Sequence, residues 1–393
     1  MEKQLEIGDI FRSYGPAYRD AHGREMPLRH FRAMRAIEIC RTSALGGHVD
    51  ECDECGSLRI SYNSCRNRHC PKCQCLDKER WLAARKKDIL PTRYFHIVFT
   101  IPEGLRPVAL RNQKVVYGMV FKAVSNTLKE LCESPKHLGC SIGFIAVLHT
   151  WTQTLVDHPH IHCIVPGGGL SFDEQTWIES KKKYFLPVKV LSRLFRGKFL
   201  DYLKKSYLAG ELVFPGKISD LEDASEFNRF LTGLYNQEWV VYCKPPIKNP
   251  DDVIDYLGRY THRVAITNDR IIKLENGKVT FRYRDRSDAD KVKYMALDAS
   301  KFIRRFLLHV LPDKFMKIRY YGILSNRNRN DKLLRCKDLL GVKVEDDNGE
   351  EKESWEDILF RITGVDPRVC PHCGKGRMVL KQKFDPRRGR CPP

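Results

Sequence analysis

Two histidines separated by one apolar residue form the most chemically informative part of the chain. His160 and His162 flank Ile161 in the segment HPHIHCIV, which has the composition of a β-strand. Side chains two positions apart on a strand point to the same face. Imidazole is the commonest protein ligand of metal ions, so the pair predicts half of a divalent-metal site. The alternative is a pair of hydrogen-bonded histidines on a half-exposed strand.

A third protein ligand is needed to complete such a site, and the sequence offers two candidates. Gln153 precedes His160 by seven residues and faces the pair if the two segments form a hairpin. His158 shares the parity of His160 and His162 if the strand continues through Pro159. Gln153 is the preferred candidate, and His158 remains open.

Paired cysteines near the N-terminus predict a structural metal. Cys52 with Cys55 and Cys70 with Cys73 form two Cys-x2-Cys knuckles separated by 14 residues. This spacing predicts a closed tetrahedral zinc site of four thiolates. Other residues of the same region offer a second zinc site, namely His48, Cys65, His69 and Cys40. The alternative is that Cys40 and Cys75 are small buried residues and that His69 is a surface or phosphate contact.

A further Cys-x2-Cys pair lies near the C-terminus. Cys370 and Cys373 supply only half of a zinc site, and His372, Cys391 or Cys336 are the candidates to complete it. The surrounding segment is basic, which predicts a positively charged tail.

Two tyrosines stand four residues apart in a segment with helical patterning. The segment 251–263 follows Pro250, and its Tyr256 and Tyr260 leave the same helix face. A phenol has a pKa of about 10 and becomes a useful nucleophile only where positive charge favours the phenolate. Arg259 and Arg263 supply such charge from neighbouring positions. Packing in an amphipathic core is the alternative role of both rings.

The overall charge predicts a polyanionic partner. The 393 residues contain 69 Lys and Arg against 49 Asp and Glu, a formal net charge of +20. Nucleic acid is the first expectation, and an anionic membrane surface is the second. Arg66 and Arg68 begin the basic stretch 66–87, which contains the second knuckle, and they are predicted DNA contacts. No apolar run reaches membrane-spanning length and no signal peptide is recognisable, which predicts a cytoplasmic protein that meets the nucleoid when active.

The elements that must position these residues follow from local periodicity. They are strands at 94–101, 143–155, 160–165 and 239–244, and helices at 111–132, 189–208, 224–236 and 251–263. The order β-α-β-β-α-(α)-β is that of a split βαβ, ferredoxin-like antiparallel sheet within an α+β protein. Asn276-Gly277 predicts a later hairpin turn.

Four regions are predicted from these patterns. They are a zinc-binding, DNA-binding module at 1–90, a nuclease domain at 91–297, a helical extension with an acidic linker at 298–365, and a basic Cys-x2-Cys tail at 366–393.

The motifs in this order resemble a known family. His160-Ile161-His162 followed by YLGRYTHR, with CRTSALGGHVDECDECG and NSCRNRHCPKCQ before them and KIRYYGIL after them, is similar to the two-tyrosine transposases of the insertion-sequence ninety-one family. The resemblance covers almost the whole chain. It assigns Tyr256 and Tyr260 as nucleophiles and the histidine pair as ligands of a catalytic Mg²⁺ or Mn²⁺.

The resemblance also implies a reaction and its partners. The expected enzyme nicks and rejoins single-stranded DNA at insertion-sequence ends through a 5′-phosphotyrosine intermediate, and transfers the strand to target DNA by rolling-circle transposition. A monomer is compatible with two nucleophiles in one chain. A replication initiator or relaxase of the same superfamily is the alternative enzyme, and a zinc-containing regulator without catalysis is the alternative of another class.

Overall fold

Helices and antiparallel sheets share the chain, as the sequence predicts for an α+β protein. The computed structural model describes residues 4–180, 185–247, 249–258, 261, 264–285, 287–327, 329–342 and 353–386. These residues contain four sheets, and their strand pairs are antiparallel. Within this part of the chain, no helix combines the length and apolar character that crossing a membrane requires.

The N-terminal region contains three α-helices and one β-hairpin. Its elements are α1 (Ile7–His22), α2 (Leu28–Ile39), β1 (Gly47–Cys52), β2 (Leu58–Tyr62) and α3 (Gln74–Lys86). Helix α1 begins with a capping box in which the side chains of Glu6 and Asp9 each accept a backbone N–H. Its apolar residues, among them Phe11, face α2 and form a core with it.

The central region carries the largest sheet and the helices that cover it. Its elements are β3 (Tyr94–Thr100), α4 (Arg106–Arg111), α5 (Gln113–Glu133), β4 (Gly143–Trp151), β5 (Asp157–Pro166), β6 (Gly168–Leu170), β7 (Trp177–Glu179), α6 (Val188–Leu208), α7 (Ala224–Asn236), β8 (Val241–Cys243) and α8 (Pro250–Gly258). The predicted strand at 143–155 ends earlier, at Trp151. Residues 152–156 form the turn, in which Leu155 has a φ of 60°.

Alternation along the strands divides the central sheet into two different faces. Phe95, Ile97 and Phe99 of β3 enter one apolar core together with α5 and α6. Tyr94 of the same strand lies on the opposite face, whose apolar cluster includes Val253 and Leu257 of α8. Helix α8 therefore covers the face that also receives the even-numbered residues of β5.

A second sheet follows and joins the N-terminal helices. Its strands are β9 (Ile271–Glu275), β10 (Lys278–Asp285) and β11 (Lys291–Asp298), and helix α9 (Ala299–Leu307) comes next. The predicted Asn276-Gly277 turn connects β9 to β10, and both residues have the positive φ that a type I′ turn requires. The ring of Phe306 in α9 packs edge-on against Phe11 of α1, with centroids 5.3 Å apart.

The last elements return to earlier parts of the fold. They are β12 (Ile318–Gly322), α10 (Arg329–Leu339), α11 (Trp355–Thr363) and β13 (Met378–Phe384). Strand β12 joins the edge of the central sheet, which has the order β12-β4-β5-β3-β8. Strand β13 pairs with β1 to form the sheet β13-β1-β2. The C-terminal Cys-x2-Cys segment therefore leads into a strand that pairs with the N-terminal hairpin.

Candidate active site

Three histidines of the central sheet bring their ring nitrogens together. One nitrogen from each of His149, His160 and His162 lies within 4.8 Å of the others. His149 stands opposite His160 in the β4–β5 ladder, and His162 lies two residues further along the same face. His149 is 4% exposed and His162 is 6% exposed, so the cluster is largely withdrawn from solvent. Three convergent imidazoles are a suitable ligand set for a divalent transition metal.

The third member of the cluster differs from both sequence candidates. Gln153 lies in the turn beyond the end of β4, where its backbone carbonyl accepts a hydrogen bond from Arg270. The Nδ1 atom of His158 lies 3.3 Å from the guanidinium of Arg106. The hairpin register instead adds a candidate that the sequence analysis did not name, because it places His149 directly across from His160. The sequence contained a signal for His149. Ile145 and Val147 of β4 lie on the same sheet face as Ile164 of β5, and alternation along each strand puts His149 and His160 on that face as well.

Hydrogen bonds orient two rings of the cluster. His160 Nδ1 lies 2.6 Å from the backbone oxygen of His158. His162 Nδ1 lies 2.8 Å from Nε2 of His96, which is 1% exposed on the neighbouring strand β3. In both rings Nε2 is then the nitrogen that can face a metal ion. Outer hydrogen bonds of this kind fix the ring orientation and tautomer of histidine ligands.

Tyr256 connects to the same cluster through His96. Its phenol oxygen lies 2.6 Å from Nδ1 of His96, and the two rings meet edge-on. The Nζ atom of Lys244 lies 5.6 Å from the centroid of the Tyr256 ring and adds positive charge there. His96 and Lys244 were not identified from the sequence, because neither belongs to a recognisable local motif. Tyr260, Arg259 and Arg263 lie outside the described residues.

Burial perturbs ionisable groups beside the cluster. Asp157 begins β5, and neither carboxylate oxygen has a hydrogen-bond partner within the described ranges. Desolvation raises the pKa of Asp157 to about 7, against a smaller lowering effect of Arg106. The ring of Trp151 stacks on His149 of the cluster and meets the ring of His309 edge-on. Burial lowers the pKa of His309 to about 4, so this histidine is neutral at physiological pH.

The cysteines form two groups of four. Cys40, Cys65, Cys70 and Cys73 make the first, and Cys52, Cys55, Cys370 and Cys373 make the second. The predicted grouping of Cys52 and Cys55 with Cys70 and Cys73 is therefore wrong. The first knuckle spans the end of β1 and the turn after it, and β1 pairs with β13. The second knuckle lies at the start of α3, and Cys40 lies at the end of α2.

The remaining predicted zinc ligands have other environments. His48 lies on β1 with Nε2 3.5 Å from a carboxylate oxygen of Asp50. His69 lines a small cavity together with Trp151, His309 and Lys317. Neither His48 nor His69 belongs to a cysteine group among the described residues. Cys336 is buried among apolar side chains, and burial raises the pKa of its thiol to about 11. Cys391 is not among the described residues.

The two predicted DNA-binding arginines before α3 are not equivalent. Arg66 is exposed, as a phosphate contact requires. Arg68 instead donates to three backbone carbonyls, those of Leu311, Pro312 and Phe315. The role predicted for Arg68 is corrected accordingly, because its guanidinium serves the loop that leads into β12.

The fold and the sites together define an α+β protein with cysteine clusters of the zinc type and a histidine cluster beside a tyrosine. Comparison with known proteins identifies its family. The family described as "Transposase zinc-binding domain" matches residues 10–101, and the family described as "Putative transposase" matches residues 143–332. The chain belongs to the insertion-sequence ninety-one (IS91) family of transposases, with a zinc-binding N-terminal domain.

Two relatives illustrate this membership. A protein of Sinorhizobium fredii named "Putative transposase y4qJ" is 49% identical over 381 residues, which are 97% of this chain and 96% of the relative. The transposase for insertion sequence element IS801 of Pseudomonas savastanoi pv. phaseolicola is 28% identical over 344 residues, 86% of this chain and 80% of the relative. An enzyme that acts on DNA is therefore established, and the resemblance noted in the sequence is confirmed.

Proposed function

We propose that this transposase cuts and rejoins single-stranded DNA at the ends of its insertion sequence through a tyrosine bound covalently to a 5′-phosphate. The core that carries this chemistry is a ferredoxin-like sheet. Support comes from the order β4-β5-β3-β8, which places the third strand of a βαββαβ unit between the first two and the fourth at the edge. In this arrangement β3, β5 and α8 meet on one face.

A single observation carries the proposal: the phenol of Tyr256 is joined to the histidine cluster through His96. The phenol oxygen is 2.6 Å from His96 Nδ1, and His96 Nε2 is 2.8 Å from His162 Nδ1. An amphipathic tyrosine that only fills a core does not need such a connection. The proposed nucleophile is therefore joined by hydrogen bonds to His162, one of the candidate metal ligands.

The chain of hydrogen bonds acquires a direction when His162 ligates through Nε2. Its Nδ1 then carries the ring hydrogen and donates to Nε2 of His96. Neutral His96 has its only ring hydrogen at Nδ1 and donates it to the oxygen of Tyr256. A hydrogen bond donated to that oxygen favours the phenolate, and the charge of Lys244 acts in the same sense. The residues of this chain thereby prepare the nucleophile.

We propose His149, His160 and His162 as the ligands of the catalytic ion, in place of the set that included Gln153. The fit rests on three convergent nitrogens, two of them oriented by hydrogen bonds. Bound Mg²⁺ or Mn²⁺ supplies Lewis-acid polarisation of the scissile phosphate. The ligand chemistry also suits zinc, so metal dependence must be measured directly.

The reaction is a balanced exchange of phosphate esters. The phenol of Tyr256 loses its proton to solvent and its oxygen attacks phosphorus. The P–O3′ bond breaks, and the leaving 3′ oxygen takes a proton from solvent. Attack by a 3′-hydroxyl on the phosphotyrosine reverses the step and releases the phenol. One ester replaces another each time, so joining needs no nucleotide triphosphate. Tyr260, four residues later in the sequence, is proposed as the second nucleophile, which handles the other strand end.

A covalent-adduct assay tests this function. Full-length protein is incubated with single-stranded oligonucleotides from the sequences that flank the gene, with and without Mn²⁺, and resolved in denaturing gels. Wild type and Tyr242→Phe, an exposed tyrosine of β8, are expected to form the adduct. Tyr256→Phe with Tyr260→Phe is expected to form none. An adduct in that double variant, or in wild type with excess chelator, would refute the proposed centre.

A further inference from the structure

The second cysteine group unites opposite ends of the chain. Cys52 ends β1 and Cys55 lies in the turn before β2, whereas Cys370 and Cys373 precede β13. The Sγ atoms of Cys55 and Cys370 are 3.7 Å apart across 315 residues of sequence, as are those of Cys52 and Cys373 across 321. The two matched families end at residues 101 and 332, so neither includes Cys370 or Cys373.

We infer that Cys52, Cys55, Cys370 and Cys373 bind a second zinc ion, which fastens the C-terminal strand to the N-terminal module. Four thiolates are the ligand set of closed structural zinc sites. With Zn–S bonds of about 2.3 Å, tetrahedral geometry requires sulfur atoms about 3.8 Å apart. The observed 3.7 Å agrees with this value. It is far from the roughly 2.05 Å of a disulfide.

The two knuckles have the same local design. In each, glycine follows the second cysteine, in the sequences CDECG and CPHCG. Gly56 and Gly374 both have a φ of 69°, and each donates its N–H to the carbonyl of the first cysteine of its knuckle. Backbone N–H groups also lie 3.4–3.5 Å from Cys52, Cys370 and Cys373 sulfurs. Donors around these sulfurs stabilise thiolates, which are the form that binds zinc.

The backbone packs closely around the sulfur atoms of this site. A Cβ at Gly376 would lie 2.4 Å from Cys52 Sγ, so the backbone closes tightly over that sulfur. Arg377 N–H donates to the Asp53 carboxylate at 2.7 Å, and Asp53 N–H donates to the Arg377 carbonyl. The antiparallel pairing of β1 with β13 begins beside these bonds, where Cys52 is paired with Met378. The strand pairing and the proposed metal site therefore hold the same two segments together.

Zinc bound only by thiolates can be counted separately from metal on the histidines. A mercurial displaces zinc from thiolates, and a chromogenic chelator detects what is released. Full-length wild type should release two equivalents per chain, one for each cysteine group. Cys370→Ser with Cys373→Ser should release one and become sensitive to limited proteolysis between α11 and β13. Cys75→Ser, an exposed cysteine outside both groups, is the matched control and should release two.

Native alkylation of wild type keeps the test independent of whether a variant folds. Cys55 and Cys75 are both exposed. N-ethylmaleimide should modify Cys75 at once, whereas Cys55 should resist modification until the zinc is removed. One thiolate-bound zinc in wild type, iron in place of zinc, or equal reactivity of Cys55 and Cys75 would overturn the inference.

Discussion

The Nε2 atom of His96 lies 2.8 Å from Nδ1 of His162, although 66 residues separate them in the sequence. Their rings are nearly parallel, with centroids 5.0 Å apart. The other nitrogen of His96 faces the phenol of Tyr256. The buried imidazole of His96 therefore connects a candidate metal ligand, His162, to the candidate nucleophile, Tyr256, by two hydrogen bonds.

Replacement of His96 by asparagine or glutamine should separate its two hydrogen bonds. The Asn amide nitrogen occupies roughly the position of Nδ1 and can still donate to Tyr256, whereas the longer Gln places its amide near Nε2. A hydrogen bond to a charged group contributes about 1.5–3 kcal/mol. His96→Gln and His96→Ala should therefore slow adduct formation roughly 10- to 150-fold, and His96→Asn less.

The rate is measured against pH at saturating metal. Because the lost donor favours the phenolate, the defect should shrink as pH rises. Equal rates for the three variants, or a defect independent of pH, would show that His96 acts only in packing.

His149 and Gln153 make a matched pair for the third ligand. His149→Ala should raise the Mn²⁺ concentration needed for cleavage by at least 10- to 100-fold, since even outer-shell changes cost that much. Gln153→Ala should leave the metal dependence unchanged. Cleavage rates are titrated with Mn²⁺ for both variants. The reverse result would restore Gln153 to the site and exclude His149.

Asp157 should make stability depend on pH. Burial raises its pKa to about 7, against about 3.9 in an unfolded chain. Between these values the folded state retains a proton that the unfolded state releases, so the free energy of unfolding falls as pH rises from about 4 to about 7. Above about 7 this contribution is constant.

Asp157→Asn removes that titration. Urea unfolding at several pH values should show the variant gaining stability relative to wild type from about pH 4 to 7. Asp220→Asn makes the same change at an exposed position and is the matched control. A constant difference between Asp157→Asn and wild type would mean that the carboxylate is ionised throughout.

Replacement of Arg68 should reduce stability, whereas replacement of Arg66 should weaken DNA binding. Arg68→Ala removes the donor to three carbonyls, and each buried group left unsatisfied costs about 1–3 kcal/mol. Arg68→Ala should therefore lower the midpoint temperature of thermal unfolding. Arg66→Ala should leave that midpoint nearly unchanged and reduce the salt slope of DNA binding by about one. Calorimetry and binding at several salt concentrations measure the two effects; a stable Arg68→Ala variant with a reduced salt slope would return Arg68 to the DNA interface.

Local sequence patterns alone predicted several secondary-structure elements, the position of the candidate site residues on them and the family. Period-two alternation placed His160 and His162 on one strand face, and Asn276-Gly277 specified its turn. Helical spacing after Pro250 located α8 and Tyr256 on it. The ordered motifs also indicated the family. Each of these features depends on a few neighbouring residues, whose backbone preferences and side-chain directions are set by short-range sterics and hydrogen bonding.

The tertiary structure decided which distant residues meet. Strand order brought His96 beside His162, and hairpin register brought His149 opposite His160. The pairing of β13 with β1 joined the knuckle of Cys52 to that of Cys370 and left the knuckle of Cys70 to Cys40. A Cys-x2-Cys spacing fixes the local shape of a knuckle but carries no information on its partner. The partner is selected by the packing of sheets and helices over the whole chain, because only the folded backbone brings four sulfurs to one point.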